Sequence, residues 1–118
     1  MDTEFLERYS RNIILREIGG IGQQRLLSSK VFIVGAGGLG IPAMMYLTAS
    51  GVGKIGLVDH DIVGISNLQR QVLFADSDVG KLKVEVAKTR LNSLNPNINV
   101  VTYPQKLSIH NVECFLSD

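Results

Sequence analysis

Residues 59–71 read DHDIVGISNLQRQ, and they crowd together side chains suited to holding a charged ligand. Asp59 and Asp61 supply carboxylates, Asn67 and Gln69 supply amides, and Arg70 supplies a planar fork of N–H donors. Upstream, Gly35, Gly37 and Gly40 satisfy G-x-G-x-x-G, with Gly38 as an extra glycine. Such a turn between a strand and a helix lets a phosphate approach backbone N–H groups. Gly35 permits the tight turn, Gly37 and Gly38 remove Cβ atoms from the ligand's path, and Gly40 lets the helix pack on the strand. The helix N-terminus adds unpaired donors and partial positive charge. Asp59 lies 24 residues after Gly35 (59 minus 35), at the end of an apolar run, where a carboxylate accepts ribose hydroxyls. Asp61 suits a second ribose contact, an Mg2+ contact or a loop cap, and His60 reads as an exposed loop residue.

The phosphate count then matters. A pyrophosphate carries about two negative charges, and a helix N-terminus largely balances them. ATP carries roughly four, which calls for aimed cations. Arg70 fits phosphate oxygens with two donors at once, and Asn67 and Gln69 hydrogen-bond phosphate or ribose. Lys81 and Lys83 add point charges on the next helix, although Lys83 fits a solvated surface equally well.

The elements that must position these residues follow from periodicity. KVFIVG at 30–35 and KIGLVD at 54–59 read as strands of a parallel sheet buried on both faces. Between them Leu39, Ala43 and Leu47 share a helical face, Pro42 falls in the first turn, and Gly51 stops the helix. A second helix is expected from about Val79 to Leu94, with Val84, Ala87, Leu91 and Leu94 as its stripe and Pro96 after it. INVVTY at 98–103 reads as a third strand, with a further helix from about Ile109. At the front, residues 3–11 read as a helix capped by Thr3, GGIGQ as a break, and QQRLLSS as a short helix. The expected fold is α/β, a Rossmann-like doubly wound and mainly parallel sheet. A helical arm, 1–29, precedes a nucleotide-binding domain, 30–118. The final helix ought to feed another strand, so the chain reads as the front part of something longer.

Composition narrows the partners. The net charge is +1 and 45% of the 118 residues are apolar, so no bulk electrostatic argument favours nucleic acid or an anionic membrane. The N-terminus has no secretory h-region and no apolar run is long enough to span a bilayer. The one cysteine, Cys114, excludes a disulfide framework and reads as a packed core thiol in a reducing, cytoplasmic setting.

Five ordered stretches carry a family resemblance: RYSRNIIL at 8–15, GAGGLG at 35–40, VDHD at 58–61, SNLQRQ at 66–71 and VGKLK at 79–83. The chain resembles the N-terminal half of the adenylating enzymes of the ThiF, MoeB and HesA group, whose larger relatives are the E1 enzymes. The resemblance implies ATP and Mg2+ as cofactors. It also implies a homodimer and a ubiquitin-like sulfur-carrier protein of molybdopterin or thiamine synthesis as partner. In that reading the carrier's C-terminal glycine is adenylated. Gly38 stands at the phosphate turn, Asp59 is the ribose acid, and Asn67 and Arg70 contact phosphate with Gln69 between them. Lys83 matches the phosphate lysine better than Lys81 does. Arg11 resembles an arginine that reaches into the partner subunit's site, while Arg8 reads as a surface ion pair.

The departures are a further Mg2+-binding Asp and two CxxC pairs for zinc, none of which occurs in this sequence. Two other readings compete. An NAD(P)-dependent oxidoreductase domain explains Gly35 to Gly40 and Asp59 but leaves Asn67, Gln69, Arg70 and Lys83 idle. An inactive subunit that lends Arg11 to a competent partner predicts dimerisation without ATP.

Overall fold

In the computed structural model, which describes residues 2–117, three strands form one parallel sheet in the order β1-β2-β3. They are β1 (Lys30–Val34), β2 (Lys54–Val58) and β3 (Asn99–Tyr103). The register is level: Val34 faces Val58, and Val58 faces Tyr103. All three strands therefore end along one straight edge. The crossover helices α4 (Gly40–Ser50) and α5 (Lys83–Leu94) pack against each other on one face. There Ile33, Ile55, Leu57 and Val100 of the sheet meet Ile41, Met44, Val84, Ala87 and Leu91 of the helices. This is the Rossmann-like parallel arrangement that the alternating pattern predicts, wound in one direction from β1.

The opposite face differs from expectation. Residues 55–58 of β2 are buried, but β1 is not covered on both sides, and Val34 is 59% exposed. β1 is the edge of the described sheet, and only the short α6 (Val112–Leu116) lies over this face. Phe115 of α6 stacks on Tyr103 at 4.4 Å and meets Phe32 at 6.2 Å. Gly56 keeps the floor flat for these rings, since a Cβ there would lie 2.9 Å from Phe32. Cys114 is exposed rather than packed. Neighbouring helical residues point about 100° apart, so turning Phe115 to the sheet turns Cys114 to water.

Four boundaries also shift. Asp2, not Thr3, caps α1 (Thr3–Arg8), its Oδ1 accepting from the Phe5 N–H at 2.8 Å. A separate α2 (Ser10–Ile13) follows Tyr9. The glycine-rich GGIG stretch does not break the chain but opens α3 (Gly19–Leu27), because packing against α2 outweighs poor propensity. In α4 the buried stripe is Ile41, Met44 and Thr48, and Leu39 is exposed at the cap. α5 starts at Lys83 rather than Val79, since Gly80 sits at φ +92° and a 3-10 turn occupies Asp76–Asp78. Val84, Ala87 and Leu91 are buried as expected, while Leu94 is half-exposed.

The arm docks through polar groups. Tyr9 is buried, and its hydroxyl accepts from Asn95 Nδ2 at 2.8 Å. Asn12 Nδ2 donates to Gln23 Oε1 at 2.9 Å and to the Ser50 carbonyl at 3.1 Å. Gln23 Nε2 donates to the same carbonyl at 2.9 Å. Arg8 adds a bond to the Leu94 carbonyl and an ion pair with Glu4, the surface pairing its sequence suggests. Gly51 makes this seat possible. It ends α4 at φ +97°, and a Cβ there would lie 2.5 Å from Gln23 Nε2 and 2.8 Å from Tyr9. Gly51→Ala is therefore expected to cost about 2 kcal/mol or more, through left-handed strain plus the collision. Urea unfolding checks this; an unchanged midpoint would mean the arm is not seated on α4.

Candidate nucleotide site

The sheet edge builds the site. β1 runs into Gly35 at φ +94°, whose N–H donates to the Val58 carbonyl at 2.8 Å. A Cβ on Gly37 would meet open space. A Cβ on Gly38 would touch only Arg70, 3.9 Å from Cδ and 4.0 Å from Nε. A Cβ on Gly40 would collide with the Gly35 carbonyl, so this glycine is what lets α4 start against the turn. No side chain caps the start of α4; the Ile41 N–H goes to the Gly37 carbonyl at 3.0 Å and Pro42 has none, so Gly40 holds the first-turn N–H left for another acceptor.

Asp59 links the first strand end to the second. Its Oδ2 accepts from the Ala36 N–H at 2.6 Å, and its Oδ1 from the Asp61 N–H at 2.7 Å. Each oxygen keeps a further lone pair for a ligand. Ligand atoms of Asp59, His60 and Asp61 all lie within 4.8 Å of one another. His60 is exposed, 3.4 Å from Asp61. The donor chemistry suits Mg2+ in part: that ion takes one or two carboxylates together with phosphate oxygens and water, and imidazole is a poor ligand for it. The Asp61 carboxylate, solvent-facing and paired among the described residues with His60 alone, has the required character. Zinc finds no thiolate set, as Cys114 is the sequence's one cysteine.

The loop after β2 then doubles back. Val63 N–H donates to the Lys81 carbonyl at 2.8 Å, Gly80 N–H to the Val63 carbonyl at 2.9 Å, and Lys83 N–H to the Asp61 carbonyl at 3.1 Å. This short antiparallel contact returns the start of α5 to the loop that follows Asp59. Lys83 consequently sits at the site and is buried, 5% exposed, and not on a solvated surface. Among the described residues neither an anion nor a hydrogen bond engages its ammonium. Lys81 remains exposed.

Asn67 organises the loop between. Its Oδ1 accepts from the Gly64 N–H at 2.8 Å, and its carbonyl accepts from the N–H groups of Arg70 and Gln71. Its amide nitrogen has no partner among the described residues. Arg70 is steadied by a 3.1 Å bond from Nη1 to the Ser66 carbonyl while its stem lies along Gly38. Gln69 points outward and is exposed. Its neighbour Gln71 is the residue that sequence reasoning passed over: it is 3% exposed and its Oε1 has no donor among the described residues. Spacing alone does not tell which of two glutamines turns inward.

A clamp holds this loop to α5. Arg90 donates to the Leu73 carbonyl at 2.7 Å and pairs with Asp78 at 2.9 Å. The Ala75 N–H, followed by Arg90, holds the Asp78 carboxyl below its usual value despite the opposing effect of burial. Arg11 lies elsewhere. Its neighbour Asn12 bonds the Ser50 carbonyl, at the far end of the eleven-residue α4 from the glycine turn. That end is about 16 Å along the helix axis from the glycine turn, and the exposed Arg11 is carried there.

The ThiF family model matches residues 9–118. The chain is 53% identical over 112 residues to the adenylyltransferase and sulfurtransferase UBA4 of Saccharomyces cerevisiae, covering 94% of this chain and 26% of that protein. It is 50% identical over 108 residues to the sulfur carrier protein adenylyltransferase of Thermus thermophilus, covering 92% and 40%. The SAMP-activating enzyme E1 of Haloferax volcanii is 51% identical over 112 residues, covering 95% and 42%. The chain thus spans less than half the length of these relatives. Among solved structures, E. coli MccB with ATP aligns at TM-score 0.80 and 39% identity, covering 88% of this chain and 32% of that one. E. coli tRNA N6-threonylcarbamoyladenosine dehydratase, TcdA, in complex with ATP aligns at 0.90 and 28%, covering 98% and 47%.

The two glycines at the head of α4 separate ligand effects from folding effects. Gly40→Ala is expected to lower stability by about 3 kcal/mol, since the backbone must shift. Gly38→Ala should leave the unfolding midpoint within about 0.5 kcal/mol of the parent, while weakening nucleotide binding. Thermal unfolding with and without ATP reads both; equal destabilisation by the two would remove Gly38 from the ligand path.

Proposed function

Because the chain belongs to the ThiF family, we propose that it adenylates the C-terminal glycine of a small ubiquitin-like sulfur-carrier protein, of the type used in molybdopterin or thiamine synthesis. Its homologues are sulfur carrier protein adenylyltransferases and E1-like activating enzymes. The observation that supports the reading is that the loop after β2 brings two cation-bearing residues from separate elements back to the strand edge. Arg70 lies along Gly38, and Lys83 is folded back onto Asp61, buried and without an anion. The stem of Lys83 is buried while its ammonium has no partner among the described residues, which leaves that charge available to an entering row of phosphates.

In the reaction, a carrier carboxylate oxygen attacks the α-phosphorus of ATP. A new P–O bond forms, the α–β bridging P–O bond breaks, and pyrophosphate leaves with the electron pair. The product is an acyl-adenylate. The barrier is electrostatic, because one anion approaches another and charge then moves to the leaving group. We assign Gly38 and the α4 N-terminus to the phosphates, Asp59 to the ribose, and Asn67 and Arg70 to phosphate contacts, with Gln69 at the outer rim. Lys83 neutralises charge as it develops. These groups are fixed before reaction, which is what makes their fields effective. Mg2+ accompanying the nucleotide supplies further charge neutralisation, and Asp61 is the carboxylate here suited to it.

Arg11 completes the proposal. Held at the far end of α4, it serves the site of a second copy in a homodimer. Its permanent charge and planar fork suit the outer phosphates.

Arg70→Ala should weaken ATP binding by about 1.5–3 kcal/mol, the scale of a charge-assisted hydrogen bond. Unchanged affinity in calorimetry would remove Arg70 from the site. In ATP–pyrophosphate exchange, an Arg11→Ala chain and an Arg70→Ala chain should each be impaired alone. Mixing them should restore about a quarter of wild-type exchange per dimer, by statistical pairing of one intact site. Absence of recovery would show that Arg11 does not act across subunits.

A further inference from the structure

We propose that Asn95 is a positioning residue for Arg11: it sets the arm at the angle from which Arg11 serves the site of a second copy. This rests on the homodimer reading above and extends it to a residue at the opposite end of α5 from Lys83.

The need for a positioner comes from the arm itself. Arg11 sits in α2, which is four residues long. A helix that short has no stability of its own in water. Tyr9, at φ −105° and ψ 13°, separates it from α1. The direction in which Arg11 leaves the fold is therefore set by what holds Tyr9 and Asn12.

Tyr9 is 1% exposed, and a buried hydroxyl needs a partner. Asn95 supplies it. Its Nδ2 donates to the Tyr9 hydroxyl at 2.8 Å and to the Thr48 carbonyl at 3.0 Å, while its Oδ1 accepts from the Asn97 N–H at 3.2 Å. The amide is itself fixed. Asn95 is buried, and the following Pro96 keeps its backbone extended, at φ −145° and ψ 97°, where α5 ends. One side chain thus joins the arm, the last turn of α4 and the end of α5. Asn12 and Gln23 make a parallel set of bonds to the Ser50 carbonyl. A seat made of hydrogen bonds has one register, because sliding leaves buried donors unpaired; apolar contact tolerates a slide.

Both helices that carry the seat begin at the nucleotide site, α4 at the glycine turn and α5 at Lys83. Arg11 is thereby referenced to the same two rigid elements as the phosphate groups of its own chain, from their other ends. In a two-fold dimer that fixed spacing decides where Arg11 falls in the other copy.

The test uses full-length protein and ATP–pyrophosphate exchange in the mixed dimer described above. There the Arg70→Ala chain lends its Arg11, and the Arg11→Ala chain carries the one intact site. Asn95→Ala on the lending chain should lower the recovered exchange about tenfold, the scale of a sub-ångström misplacement of a reacting group. The same substitution on the site-bearing chain should leave recovery within about twofold. The two mixed dimers hold the same substitutions, so a general loss of stability would lower both alike. Tyr9→Phe keeps the ring and its edge contact with Phe5 but drops the hydroxyl, and it should show the same one-sided loss, about threefold. Equal loss in the two arrangements, or loss in neither, would overturn the inference and spare the Arg11 reading; Tyr9→Phe decides by the same criterion where Asn95→Ala does not fold. No recovery in the pair with Asn95 and Tyr9 intact would overturn the Arg11 reading and this inference together.

Discussion

The site depends on one carboxylate. Asp59 accepts an N–H from the glycine turn and another from its own loop, and so ties the end of β2 to the end of β1. Without that tie the turn and the loop would be independent surface segments, each free to move. With it, the loop leaves β2 in a fixed direction, meets Lys81 and Lys83 in an antiparallel contact, and delivers α5 to the site. The Arg90–Asp78 clamp then holds the middle of the loop against α5. A mobile loop would lose its entropy when ligand binds; this loop is already ordered by the fold.

In the proposed function each cation has its own setting. Arg70 is exposed yet steadied by its bond to Ser66, a position from which a forked side chain meets an entering anion. Lys83 is buried at the head of α5, opposite in character to the exposed Arg70. Arg11 is held about 16 Å away by polar contacts that Tyr9 and Asn12 make with α4 and Asn95, Gly51 permitting the close approach. Residues in one motif thus divide their labour: Tyr9 and Asn12 anchor the arm, and Arg11 between them is exposed.

Much of this was legible in the sequence because it rests on local rules. The glycine pattern names the turn, the apolar runs name the strands, and Asp59 falls where a strand must end. The family membership likewise follows from five ordered motifs. What was not legible depends on packing between distant segments. Gly19, Gly20 and Gly22 enter a helix because α2 supports it. β1 reads as fully buried, yet it is an edge strand with one face lightly covered. Cys114 turns outward because Phe115 wins the aromatic contact with Tyr103. The burial of Lys83 and Gln71 is set by how the loop folds back, and neither spacing nor propensity encodes that.

The central claim is that this strand edge is built for three linked phosphates rather than for a dinucleotide. Side-by-side calorimetric titration of the unmodified protein with ATP and with NAD+ tests it most directly. The account predicts ATP binding at least tenfold tighter, a difference of about 1.4 kcal/mol or more. NAD+ binding as tightly as ATP, or more tightly, would contradict it.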